Sequence, residues 1–90
     1  MMRQQLGNIV GEELRILAIK TRTRLCFTQR EMGERLQMSE SSYSDIETGK
    51  SNCGTLTTVL LLSIQEDPAH FLNTVNAAFQ KWYAKEMMPV

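Results

Sequence analysis

Apolar residues along this chain recur at steps of three and four rather than two, a pattern that predicts helices and no strands. Val10, Leu14, Leu17, Ala18 and Thr21 form one stripe of a first helix traced from about Ile9 to Thr23, with Glu12, Arg15 and Lys20 off it. Ile16 and Ile19 widen that stripe beyond what one packing face needs. Thr28 with Glu31 is a capping box and Phe27 with Met32 a hydrophobic staple, so a second helix starts there and runs to about Leu36. Ser39 is the N-cap of a third, where Met38 and Tyr43 repeat the staple, and Gly49 stops it. Only Gln37 and Met38 separate these two helices, and so short a connection between capped helices predicts a helix-turn-helix. A loop from Lys50 to Gly54 leads to a fourth helix of roughly Thr55 to Gln65, capped by Thr55. Asp67 and Pro68 read as N-cap and first residue of a fifth, about residues 68–86, with Phe71, Leu72, Val75, Ala78, Phe79 and Trp82 along one stripe.

The expected fold is all-α: one compact five-helix bundle spanning 1–90, with its core between about residues 9 and 66. Ninety residues bury one modest core without needing metals or disulfides. Met32, Leu36, Met38, Tyr43 and Ile46 are expected to fix the angle between the second and third helices. Gly33 falls where those helices approach, so a side chain no larger than Ala is expected there. Formal charge balances, but unevenly along the chain. Up to Arg35 there are seven basic side chains against four acidic ones, and after it three against six, which can give one electropositive face.

Cys26 and Cys53 lack CxxC spacing and a neighbouring His, so no metal or other cofactor is expected. Cys26 is read as a small core residue and Cys53 as a loop residue without chemistry. No charged-then-apolar leader opens the chain, and Val59 to Leu62 is too short to span a bilayer. No membrane association is expected, and the cytoplasm is the expected location, with both thiols reduced.

The segment Thr28-Gln29-Arg30-Glu31-Met32-Gly33-Glu34-Arg35-Leu36, continued by Ser39 to Lys50 with its Ile46-Glu47-Thr48-Gly49-Lys50 ending, resembles the XRE or phage-repressor (Cro-like) family. The likeness covers about residues 9–66, and the Thr-Gln opening with the Glu-x-Gly-Lys close, at the expected interval, is its most specific part. It implies a lambda-repressor-like domain that acts as a transcriptional regulator. Gap-free counting puts Ala18, Thr21 and Arg22 on the family's first-helix positions for two apolar residues and one basic residue. There the resemblance implies an ion pair of Arg22 with Glu47, structural rather than DNA-binding. Three departures stand out. Gln37 occupies a turn position that usually holds Gly. The loop Ser51-Asn52-Cys53-Gly54 carries no basic residue, and the third helix carries Glu40 and Asp45, which implies weaker phosphate attraction.

In such a motif the start of the second helix of the pair lies in the major groove of double-stranded DNA. The resemblance implies base contacts from Ser39, Glu40, Ser41, Ser44 and Asp45: serines serve several base edges, and a carboxylate can accept from cytosine. Glu40 is equally well read as a favourable charge in a helix's first turn. Backbone contacts are expected from Gln29, Arg30, Lys50 and Asn52, with a further phosphate seat at the N–H groups around Thr55. No catalytic constellation is readable: there is no glycine-rich phosphate loop, His70 is a cap-region or interface residue, and Glu12-Glu13 is a solvated helix start.

Two function classes follow. One is a repressor that binds DNA as a homodimer, pairing through the apolar end Phe79, Trp82, Tyr83, Met87 and Met88. The other is a protein-interaction module such as an antitoxin, with weak DNA binding.

Overall fold

Three consecutive helices of this chain end in the same backbone turn, and that turn sets how they pack. The computed structural model describes residues 2–87, and among these there are five helices and no strand: α1 (Met2–Leu25), α2 (Gln29–Arg35), α3 (Glu40–Glu47), α4 (Thr55–Ser63) and α5 (Pro68–Met87). At the end of α1, Cys26 N–H donates to Thr23 O and Phe27 N–H to Arg22 O, both at 3.1 Å. After α2, Gln37 N–H donates to Glu34 O and Met38 N–H to Gly33 O; after α3, Gly49 N–H donates to Ile46 O and Lys50 N–H to Asp45 O. Each is a Schellman turn, which puts one residue in the left-handed conformation. Those residues are Cys26 (φ 57°), Gln37 (φ 62°) and Gly49 (φ 82°), so only the third is the glycine such a turn favours.

This geometry corrects the reading of Cys26, while Cys53 lies in the loop as expected. Cys26 is exposed because α1 runs two residues past Thr23 and the left-handed turn swings its side chain outward. Cys53 is the half-buried one, packed against the core, and burial pushes its thiol above the usual range. α1 also begins seven residues earlier than Ile9, although Gln4, Gln5, Gly7 and Asn8 give no amphipathic signal. Gly54, not Thr55, is the N-cap of α4, without a side-chain hydrogen bond; Thr55 is the first helical residue, and α4 stops at Ser63, before Gln65. Pro68 opens α5 as expected.

Leu14, Ala18, Met32, Leu36, Tyr43, Leu61, Phe71 and Val75 form the buried cluster, with Ile46 also buried and Met38 half-buried beside it. Thr21, on the apolar stripe, is buried yet satisfied: its hydroxyl donates to Leu17 O at 2.7 Å and accepts from Gln65 Nε2 at 2.9 Å. Gln65 donates to Leu61 O as well, which ties the end of α4 to α1. The approach at Gly33 is closer than expected. A Cβ there would stand 3.0 Å from Met38 O and 3.1 Å from Ser39 O, so even alanine requires the turn to give.

α1 and α5 lie side by side. Phe79 lines one surface hollow with Leu6 and Val10, and Phe71 lines another with Ile16 and Leu17, so the two helices run antiparallel. At about 1.5 Å per residue, α1 is about 36 Å long, and the molecule measures 48 × 26 × 19 Å. Its radius of gyration of 14.3 Å exceeds the about 12 Å of a compact chain this long. The early start of α1 gives Phe79 a wall to pack on, so this residue, expected at a twofold contact, is half-buried against the chain's own core. Met88 lies outside the described residues, as does the side chain of Met87. Among the described residues no helix is long and apolar enough to cross a membrane.

The left-handed Gln37 gives a direct test. An L-residue there costs about 1–2 kcal/mol, while glycine's freer unfolded chain returns part of any gain. Gln37→Gly is therefore expected to raise stability by about 0.5–1 kcal/mol in urea unfolding. A loss of stability would mean that the Gln37 side chain holds the turn.

Candidate functional site

The feature from which the α2–α3 unit hangs is one carboxylate. Glu47, the last residue of α3, receives Arg22 Nε on Oε2 at 2.6 Å and Arg22 NH2 on Oε1 at 3.2 Å, a fork-to-fork pair from α1. Gln29 Nε2, from the first residue of α2, donates to Oε1 at 3.0 Å. The buried Tyr43 hydroxyl donates to Oε2, with Ala18 O also within reach at 3.3 Å. The Arg22–Glu47 pair implied by the resemblance is thus present. Gln29 and Tyr43 as further donors to the same carboxylate were not foreseen, although Tyr43 sits one turn before Glu47 on the same helix.

A second arginine was missed. Arg15, read as part of the polar face of the first helix, reaches across to donate NH1 to the Glu47 backbone carbonyl at 3.1 Å. Its Nε and NH2 engage Glu12 at 3.0 and 2.7 Å. A cation at the last carbonyl of a helix both satisfies that acceptor and complements the helix dipole. α1 therefore holds the end of α3 twice, by side chain and by backbone.

Electrostatics follow from this packing. Burial works to raise the Glu47 carboxyl, but hydrogen bonds from Arg22, Tyr43 and Gln29 outweigh it and hold the group below the usual carboxylate range. Burial, then the hydrogen bond to Glu47 and its charge, push the Tyr43 hydroxyl far above its ordinary range, so it stays a donor. The Arg22 side chain is 25% exposed and that of Glu47 only 9%. Losing one partner should then cost more than the about 1 kcal/mol of a surface pair and less than the about 3–5 kcal/mol of a fully buried one.

The outward face of this unit holds most of the residues expected to touch DNA. Ser39, Glu40 and Ser41 are exposed at the start of α3, while Ser44 and Asp45 are half-buried. The Ser39 hydroxyl is committed in part, accepting from Ser42 N–H at 3.1 Å as the N-cap. Asp45 has its backbone carbonyl occupied by Lys50 N–H and Ser51 N–H in the turn. Gln29 is half-buried with one amide N–H on Glu47 rather than free. Arg30 is exposed and faces Glu34 at 3.4 Å. Lys50 and Thr55 are exposed. Asn52, although exposed, lays its amide against α1, its Oδ1 3.2 Å from where a Gly11 Cβ would be, beside Arg15 and Cys53.

The local reason for this mounting is legible residue by residue. Thr28 Oγ1 accepts from Glu31 N–H at 3.1 Å and Glu31 Oε1 accepts from Thr28 N–H at 2.9 Å, completing the box that starts α2. Bonds from the Thr28 backbone and hydroxyl hold the Glu31 carboxyl below its usual range. Among the described residues no group of three or more His, Cys, Asp or Glu is placed to hold a metal ion. Comparison with family models, with curated proteins and with solved structures gives no match for this chain in any of the three.

An acid-side stability change follows from Glu47. An unfolded Glu titrates near about 4.3, and the folded group sits lower. Its contribution is therefore complete above that pH and is lost as pH falls through the folded value. Urea midpoints of the wild type, compared with Glu47→Gln from about pH 7 to pH 3, are expected to converge as the solution becomes acid. Parallel curves would show that the carboxylate is not the group being titrated.

Proposed function

We propose that this chain is a sequence-specific DNA-binding transcriptional regulator, a repressor, which uses α2 and α3 as a lambda-repressor-like helix-turn-helix of the XRE type. One observation carries the reading: the start of α3 is exposed and rich in hydroxyls while its far end is clamped through Glu47 to both α1 and α2. A helix presented to a major groove needs that combination of a free first turn and a fixed axis. Ser39, Glu40, Ser41, Ser44 and Asp45 would read base edges, Gln29, Arg30 and Lys50 would meet phosphates, and Asn52 and Thr55 would lie at the margin of the contact.

Selection of bound fragments from random DNA tests this reading and returns the operator. On the selected fragment Lys50→Ala is expected to reduce the salt slope by about 0.9 for one lost phosphate contact. Gln29→Ala, which removes no charge, should weaken binding to all sequences alike with that slope unchanged. Ser41→Ala or Asp45→Asn should instead change the preferred base, at about 1–3 kcal/mol per lost contact. The reading fails if no fragment is enriched, or if all four variants bind as the wild type does.

Reading two half-sites requires a dimer, and α5 offers its far end for one. Trp82 is half-buried and Tyr83 38% exposed, their rings edge to face with centroids 5.3 Å apart. Tyr83→Glu leaves Phe79 in the core and is expected to convert a dimer into a monomer in sedimentation equilibrium. A wild-type chain that is already monomeric at tens of micromolar removes this proposal.

A second reading is favoured by the charge on the open side of α3, which carries Glu40 and Asp45 and no basic residue. That face suits a basic protein surface, as in an antitoxin. Tight binding to a protein partner that Glu40→Gln weakens, together with an empty DNA selection, would establish it over the first.

A further inference from the structure

Gln29 is the one member of the Glu47 cluster that is also expected on the DNA-facing side. A glutamine amide can turn either end toward a neighbour, but a carboxylate accepts only, so the 3.0 Å contact with Glu47 Oε1 fixes the nitrogen inward. Nε2 carries two hydrogens. One is spent on Glu47, and among the described residues no other group bonds to the second hydrogen or to the amide oxygen. A bare carboxylate so near would repel a phosphate. Here Arg22 covers both carboxylate oxygens, at 2.6 and 3.2 Å, and cancels that charge.

We propose that Glu47 is a positioning residue for the DNA backbone contact: it locks the Gln29 amide so that its remaining N–H is presented to a phosphate, while Arg22 neutralises the carboxylate and lets the phosphate approach. The proposal rests on the DNA-binding reading above. It adds that the ion pair acts on affinity as well as on stability. Phosphate contact and interhelix clamp then share one acceptor.

The test has two arms on the intact chain. In the first, the Gln29 side-chain amide signals of the unmodified protein are followed by NMR as the pH is lowered. They are expected to shift along the same curve as the Glu47 carboxyl carbon, and an amide that ignores that titration overturns the positioning whether or not DNA is bound. In the second, affinity for the selected fragment is measured for Gln29→Ala, Glu47→Gln and the double variant near neutral pH. Glu47→Gln alone is expected to weaken binding by about 3- to 10-fold, the worth of one hydrogen bond. It should cost nothing further once Gln29 is Ala. Additive losses overturn the proposal. If Glu47→Gln does not fold, Gln29→Glu replaces it: the inward group then repels Glu47, and binding as tight as wild type refutes the proposal. If the amide tracks Glu47 but no DNA is bound, the DNA-binding reading fails and the phosphate half of the proposal falls with it, while the internal lock stands.

Discussion

One acceptor, the Glu47 carboxylate, determines how the first three helices meet. Four donors converge on it from three helices, and a fifth contact, from Arg15, reaches the backbone carbonyl of the same residue. A buried charge left alone would cost several kcal/mol; here each oxygen takes a guanidinium hydrogen and a neutral one besides. Such a hub leaves little freedom to α3, because displacing it would break contacts to α1 and α2 together. The apolar cluster beneath supplies most of the cohesion through area removed from water. It is the polar hub that supplies direction, since hydrogen bonds fail with angle where apolar contacts merely slide.

The turns complete that constraint. Three successive Schellman turns reverse the chain at Cys26, Gln37 and Gly49 within a span too short for any loop to relax. Two of the three carry side chains that resist the left-handed conformation, so the packing they permit must outweigh a local cost at both places. The close passage at Gly33, against the carbonyls of Met38 and Ser39, is what the second of these turns allows.

Much of this was legible because short-range chemistry has short-range signatures. The Thr28–Glu31 box, the Ser39 cap, Pro68 at the head of α5 and the stop at Gly49 are each written within a few residues. The left-handed Gln37 and the Arg22–Glu47 pair were accessible only through a resemblance that supplied a register. What stayed hidden depends on distant partners. The first turns of α1 are polar and glycine-containing, and they are helical beside an α5 whose position no local pattern encodes. Arg15 looked like surface because the carbonyl it caps lies 32 residues away. Cys26 was misread because its exposure turns on where α1 ends, and the helix runs two residues beyond Thr23. Phe79 went inward for the reason that α1 began early.

The distribution of ionisable groups has a practical corollary. From Ser51 to Gln65 there is no carboxylate, amine, guanidinium or imidazole, only the raised thiol of Cys53, and this stretch contains all of α4. Leu56 and Val59 lie exposed upon it, so it is solvated without being charged. Within α4 itself no side chain gains or loses a proton, and its first turns lie well before Glu66 and Asp67 in the chain. Backbone signals from those first turns form an internal reference, against which drift of the whole domain can be separated from the titration of the polar hub.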